Sequence, residues 1–185
     1  MKTRLLISLC ASLVLILAPV RSQAAEEKQT PRPMREFRSD RSPCTEVDIR
    51  SVEVPDDFRI VYGSGPSHAN WPGRRTFIEV NASGQVKLQQ GSSKGGQSPM
   101  GDIPVKSFRI SKEKVKKIFA RVQGCRFFEL DKHYSTPGIM DGGGSHLFVQ
   151  ANGQSHWVSV RYASVARYSA IVDTLCLQVN ASSSY

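Results

Sequence analysis

The chain has 185 residues, enough for one domain of about 150 residues and a tail but not for two domains. Its residues are 39% hydrophobic and 22% charged, a composition that excludes a disordered or fibrous protein. The formal net charge is +9, but aromatic residues do not interleave the basic ones, so the charge pattern does not favour nucleic-acid binding.

Residues 1–24 have the pattern of a secretory signal peptide. Two basic residues precede an apolar run over 5–20, and Ser22 and Ala24 put small side chains at the cleavage site. The apolar run is shorter than the roughly 20 residues of a membrane span. We therefore expect cleavage after Ala24, a secreted or periplasmic protein, and no transmembrane segment after cleavage; an uncleaved anchor is the alternative. Loss of the leader lowers the net charge from +9 to +6, because the leader carries three basic residues and no acidic one.

Residues 25–43 are predicted to form a disordered arm. The segment contains three prolines and only two large apolar residues, so burial cannot offset the entropy that ordering would cost. A single α+β domain is expected over 44–180, followed by a polar tail over 181–185.

Short apolar alternations separated by turn residues predict strands in the first half of this domain. Residues 58–62 form the first strand, and a loop rich in Gly and Pro follows over 63–75. Residues 76–80 and 85–89 are predicted to form a hairpin, and 105–110 a further strand. One face of the hairpin collects four aliphatic side chains: Ile78, Val80, Val86 and Leu88.

A helix is predicted between Ser111 and Gly124. Ser111 can cap its first turn, apolar residues recur at i, i+3, i+4 and i+7, and Gly124 is expected to end it in a left-handed conformation. The side away from the apolar stripe carries Lys114, Lys117 and Arg121. These three residues are a candidate anion-binding surface, with a merely solvated face as the alternative.

The dipeptide Asn152-Gly153 predicts a two-residue hairpin turn between strands over 146–151 and 154–161. A second helix is expected from about residue 164. Together these elements predict an α+β fold, a single antiparallel sheet of hairpins with two helices packed on one face.

The register of this hairpin decides which side chains share a face. It places His146 on one face and His156 on the other, so the two imidazoles cannot share a zinc ion. Phe148 lies directly across from Trp157. We expect this aromatic pair in the core; it is an exposed binding patch if only one face of the sheet is covered.

The mature chain keeps three of the four cysteines. In an oxidising compartment an odd number suggests one bridge and one free thiol. We expect the bridge between Cys125 and Cys176, which would tie the end of one helix to the other, because Cys44 lies in a polar segment. Buried, unpaired thiols are the alternative.

Two loops hold the remaining candidates for chemistry. His68 lies in the loop over 63–75, and the loop over 131–145 contains His133, Tyr134 and Asp141. If the loops converge on one cleft, these side chains would suit a small hydrolase or a metal-dependent enzyme. No motif of the chain predicts a cofactor.

Three segments, 124–130, 134–142 and 151–158, resemble a family of bacterial exported domains, often lipoproteins, of unknown function. The likeness spans about 58–180. It depends on an aromatic pair followed by a Tyr/Pro/Asp-Gly loop and an Asn-Gly hairpin. This chain lacks the lipid-attachment cysteine and a cysteine pair that several relatives carry near the end of the first strand. The resemblance implies export and this fold, and it supplies no catalytic residue.

The sequence therefore favours a non-enzymatic exported module that binds or inhibits a protein or an anionic envelope component. No nucleophile–base pair and no metal cluster is consistent with the predicted geometry. The alternative is the small hydrolase or metal-dependent enzyme with a site between the loops over 63–75 and 131–145. A purely structural envelope protein is a third hypothesis.

Overall fold

A seven-stranded sheet and two helices make up the computed structural model, which describes residues 40–66, 72–93, 103–138 and 143–180. The helices are α1, Lys112–Gly124, and α2, Ala166–Val179, and short 3₁₀ turns lie at Ile49–Ser51 and Phe127–Glu129. The α+β class with a single sheet and two helices is confirmed. In chain order the strands β1 to β7 are Arg59–Gly65, Gly73–Asn81, Gln85–Ser93, Lys106–Arg109, His133–Ser135, Gly144–Ala151 and Gln154–Arg161.

The strand order across the sheet is β4-β3-β2-β1-β6-β7-β5. All neighbours are antiparallel except β5, which pairs with β7 in parallel. The prediction of a wholly antiparallel sheet, with a loop over 131–145, is wrong at this edge. The strand β5 has three residues and buries only Tyr134, so it is too short to show an alternating pattern in the sequence.

The hairpin of β6 and β7 has the predicted register, with Phe148 opposite Trp157. Its turn residues Asn152 and Gly153 have φ angles of 53° and 72°, the left-handed pair that this type of hairpin turn needs. The carboxylate of Asp57 accepts hydrogen bonds from both of their amides, at 2.8 and 2.7 Å. The turn is therefore fixed to the segment that leads into β1.

One face of the sheet is buried and the other is not. Buried side chains of both helices belong to the same core cluster as the buried sheet residues. On the opposite face Phe148 is half-buried and Trp157 keeps 40% of its surface exposed. The prediction that this aromatic pair lies in the core is therefore wrong. The buried face is formed by Ile60, Tyr62, Ile78, Val80, Val86, Leu88, Leu147, Val149, Val158 and Val160.

The helix α1 begins as predicted, with the Ser111 hydroxyl accepting from the amide of Lys114 at 3.4 Å. The helix ends at Gly124, as predicted, but the left-handed residue is Arg126 rather than Gly124. Gly124 is the last helical residue, and a Cβ there would come within 2.2 Å of the carbonyl oxygen of Thr45. This glycine is needed for the close approach of another segment and not for a turn.

The disulfide joins Cys44 to Cys125, so the predicted bridge between Cys125 and Cys176 is wrong. The segment containing Cys44 lies against the end of α1, where the amide of Thr45 donates to the carbonyl of Gly124 at 2.9 Å. Cys176 is a buried free thiol on α2, and burial raises its pKa to about 11. The sequence around Cys44 is polar and gives no sign that this segment packs against the end of α1, which is the contact that brings Cys44 to Cys125.

The described chain begins with a residue that is bound to α2. Asp40 forms a bridge with Val165, and its carboxylate accepts from the Nε of Arg167 at 2.7 Å. Burial raises the pKa of Asp40, but hydrogen bonds from Ser42 and Arg167 lower it by more, so the net shift is downward. The predicted arm over 25–43 therefore includes at least one residue that is held to the domain.

The signal peptide, residues 25–39 of the arm and the tail over 181–185 lie outside the described residues. Within the described ranges, no helix combines the length and the apolar character that crossing a bilayer requires.

Candidate anion-binding site

The structure places His133 and Tyr134 on opposite sides of β5. The ring of His133 packs edge-on against Trp157, with centroids 4.7 Å apart, while Tyr134 is buried and its hydroxyl accepts from the amide of Asp131 at 3.0 Å. Neighbouring residues of a strand point to opposite faces, so these two side chains do not meet. The other members of the predicted cleft, His68 and Asp141, lie outside the described residues.

The two histidines of the β6–β7 hairpin lie on opposite faces, as predicted. The Nε2 of His156 lies 2.9 Å from the carbonyl oxygen of Leu130, and its ring packs against Phe127. His146 lies on the other face, over Gly63. Among the residues that the structure describes, no three His, Cys, Asp or Glu side chains are grouped so as to hold a metal ion.

The basic residues predicted on α1 face solvent. Lys117 and Arg121 are exposed, and Lys114 is half-buried. Their positions agree with the expected outer side of the helix, and they are not among the residues that line the cavity described next.

A cavity of about 280 Å³ opens at one end of the sheet, where β1 ends and β6 begins. Four adjacent strands contribute its lining: β2, β1, β6 and β7. Among the lining residues that the structure describes, three are basic, namely Arg75, His146 and Arg161, and none is acidic. This cavity is the strongest candidate for a functional site in the described part of the chain.

Two arginines and two glycines form a row across the cavity, which we call the arginine–glycine row: Arg75 on β2, Gly65 on β1, Gly144 on β6 and Arg161 on β7. Gly65 and Gly144 are paired directly. A Cβ at Gly65 would lie 3.1 Å from the Cγ of Arg75, and one at Gly144 would lie 3.0 Å from the Cγ of Arg161. Both arginine stems therefore run inward, over the glycines.

The glycines are required for this arrangement. Side chains at Gly65 and Gly144 would occupy the space that the two arginine stems use. At Gly63 a Cβ would come within 2.3 Å of the imidazole of His146, so the histidine ring covers this glycine. Because the three glycines have no side chains, the basic side chains can lie close to the backbone of the sheet.

The electrostatics of the cavity favour a negatively charged guest. Arg75 is only 7% exposed, and a guanidinium stays charged in proteins, so its field acts where little water screens it. The ring of His146 lies on Gly63 although the residue is exposed overall, and the partial desolvation lowers its pKa, which favours the neutral imidazole with one donor N–H. Guanidinium groups present paired donors that match carboxylate and phosphate oxygens.

The sequence alone does not indicate this site. Each strand contributes residues with a spacing of two, such as Gly63 and Gly65 or Ser159 and Arg161, and such spacing puts them on one face. This spacing indicates a shared site only when it is known which strands pair with each other. Moreover, the expected loop over 63–75 hid the fact that Arg75 belongs to a strand.

The cavity and the α+β sheet define the class of the molecule only as a small domain with a basic site on one face of its sheet. No protein-family model matches the chain, and comparison with curated proteins finds no match. The resemblance to a family of exported domains, noted from three sequence segments, stays a prediction.

Proposed function

We propose that the chain is an exported, non-enzymatic module that binds an anionic group of a protein or an envelope component in the arginine–glycine row. The observation that carries the proposal is the inward course of Arg75 and Arg161 over Gly65 and Gly144, from opposite sides of one cavity. An anion between them would accept from two guanidinium groups at once. Each charge-assisted hydrogen bond of this kind contributes roughly 1.5–3 kcal/mol.

The proposal includes the packing of both helices on one face of the sheet. It is supported by the shared core of the helices and the buried sheet residues, and by the exposure of Trp157 on the other face. In this arrangement the helices leave the cavity accessible from solvent.

Export is part of the same proposal. It is supported by the signal-peptide pattern over 1–24 and by the bond between Cys44 and Cys125, because disulfides persist in oxidising compartments.

A second candidate, a small hydrolase, is favoured by one observation. Ser159 lies directly opposite His146 in the β6–β7 pairing, and both line the cavity. A serine and a histidine can serve as nucleophile and base, and here the pair requires the His146 ring to turn from its place over Gly63 toward Ser159. Hydrolysis of a p-nitrophenyl ester that is lost in both Ser159→Ala and His146→Gln would support this candidate; ester hydrolysis unchanged in both variants would exclude it.

Isothermal titration calorimetry of the purified chain with inorganic phosphate, and separately with acetate, tests the binding proposal. We expect Arg161→Gln to weaken binding of the better probe by about tenfold or more, the effect of losing one charge-assisted contact. Arg121→Gln on α1 is the matched control, since it removes the same charge from an exposed site outside the cavity. Equal losses in the two variants would show that only net charge matters and would overturn the proposal.

A further inference from the structure

We infer that the ligand is the C-terminal end of an extended polypeptide, with its terminal carboxylate in the arginine–glycine row and an apolar side chain on Phe148 and Trp157. This inference rests on the proposed function and names the chemistry of the partner. It is carried by the cavity, by the order of residues along the sheet face and by the distribution of charge on that face.

The cavity is larger than an anion alone requires. Its volume of about 280 Å³ compares with about 30 Å³ for each water molecule of the liquid, so a carboxylate fills only a part. The ligand therefore continues beyond its anionic group, and Phe77 in the lining offers it an apolar contact.

The same sheet face becomes apolar away from the arginines. Val61 lies on β1, two residues before Gly63. Its cross-strand partner is Phe148 on β6, and Phe148 also pairs with Trp157 on β7. We call this row of one aliphatic and two aromatic residues the aromatic row. Four residues separate Gly65 from Val61, which corresponds to about 13 Å along a strand. An extended polypeptide covers the same distance in about four residues.

The charge on this face matches a ligand with a single anionic end. Beyond the cavity, Arg59 and Lys87 are bound to the carboxylate of Glu79, at 2.8 and 3.3 Å. The described lining of the cavity brings three basic residues together with no acidic one, whereas a polysaccharide with a charge on every unit would call for a cation opposite each unit along the face. A fatty acid also has one anionic end, but it is bound in an enclosed apolar channel, and Trp157 lies on an open surface.

The test uses three N-acetylated pentapeptides and measures their binding by calorimetry. The first has leucine at its first position, small residues after it and a free C-terminal carboxylate. The second is its C-terminal amide, and the third replaces the leucine with serine. We expect the first to bind at least tenfold more tightly than the amide and severalfold more tightly than the serine peptide.

Protein variants locate the two ends of the peptide. Trp157→Ser should weaken the leucine peptide severalfold and leave the serine peptide unchanged, while Arg161→Gln should weaken both. Phe108→Ser is the control, because Phe108 is an aromatic residue of similar exposure, 38%, on the far edge strand β4. The comparison of free acid and amide needs no variant, so it holds even if Trp157→Ser does not fold.

The outcomes separate this inference from the proposed function. If Arg161→Gln weakens acetate or phosphate binding but acid and amide peptides bind equally, the anion site stands and the peptide inference is overturned. If the leucine and serine peptides bind alike, or Phe108→Ser acts as strongly as Trp157→Ser, the aromatic row is not part of the site and the inference is likewise overturned. If Arg161→Gln weakens the binding of none of the probes, both the peptide inference and the proposed function are overturned.

Discussion

The imidazole of His146 lies directly on Gly63, so close that a Cβ at this glycine would fall 2.3 Å from the ring. The two residues are cross-strand partners on β6 and β1. This contact makes the position of the histidine in the cavity depend on the absence of a side chain in the neighbouring strand.

Gly63→Ala should therefore displace the His146 ring from its place over β1. The ring is the far end of an exposed, flexible side chain, so it can move aside at a small cost in stability. The imidazole signals of His146 in NMR spectra measure the displacement. Gly91→Ala on β3 is the matched control, because its added Cβ would meet only Ile103 at an ordinary contact distance of 3.4 Å. Imidazole signals that are the same in the two variants would contradict the contact described for His146.

Stability should fall on mild acidification because of the same histidine. Burial lowers the pKa of His146 below its ordinary value of 6.5. Above pH 6.5 both folded and unfolded chains hold it neutral, and its full contribution is present. As the pH falls below 6.5, the unfolded chain takes up a proton that the folded chain resists, so the free energy of unfolding decreases until the folded pKa is passed.

Comparison of urea unfolding at pH 7.5 and pH 5.5 checks this sign. His146→Gln should show a smaller decrease than the unaltered chain over that interval. A bound anion favours the imidazolium, so added phosphate should raise the pKa of His146 seen by NMR. A decrease in stability that is the same in the variant would assign the pH dependence to other groups.

The bond between Cys44 and Cys125 closes a loop with a sequence separation of 81 residues. The substitution Cys44→Ser should lower the free energy of unfolding by about 3–4 kcal/mol, since a crosslink of this length constrains the unfolded chain strongly. Cys176→Ala is the control and should keep the bridge. Peptide mapping without reduction should recover residues 44 and 125 in one linked fragment; recovery of Cys125 linked to Cys176 would contradict the structure.

The ion pair of Asp40 and Arg167 should stabilise the start of the domain. Its side chains are 11% and 15% exposed, and the pKa of Asp40 is lowered from its ordinary value of 3.8. The contribution is present above pH 3.8 and is lost as the pH falls through the lowered value.

We expect Asp40→Asn to cost about 2 kcal/mol at pH 7. Glu129→Gln provides the contrast, because its pair with Arg126 is more than 60% exposed on both sides and should contribute no more than about 0.5 kcal/mol. Urea unfolding at pH 7 and pH 3 measures both. A cost of Asp40→Asn that does not decrease between pH 7 and pH 3 would show that the charge is not responsible.

Local signals in the sequence were sufficient for much of the fold. The Asn152-Gly153 turn predicted its hairpin and register, and Ser111 predicted the start of α1, because each signal acts on residues next to it. The prediction failed where the decisive contact joins distant segments. Gly124 ends α1 as predicted, but the reason for a glycine there is the close approach of the Thr45 carbonyl and not a left-handed turn.

The candidate site cannot be predicted from the sequence for the same reason. Gly65 and Gly144 come together only because β1 pairs with β6, which lies far along the chain. The arginines beside them are ordinary surface residues by sequence, and nothing in their local pattern indicates that they lean over glycines. By contrast, the register of a single hairpin decides that His146 and His156 lie on opposite faces of the sheet, and this prediction is confirmed.

The central claim, an anion held between Arg75 and Arg161, is tested most directly by NMR of the arginine side chains during a phosphate titration. The Nε–H signals of Arg75 and Arg161 should shift together and saturate with a single dissociation constant, while that of Arg121 on α1 should drift without saturation. If Arg121 shifts and saturates like the other two, or if Arg75 and Arg161 do not respond, the arginine–glycine row is not an anion site.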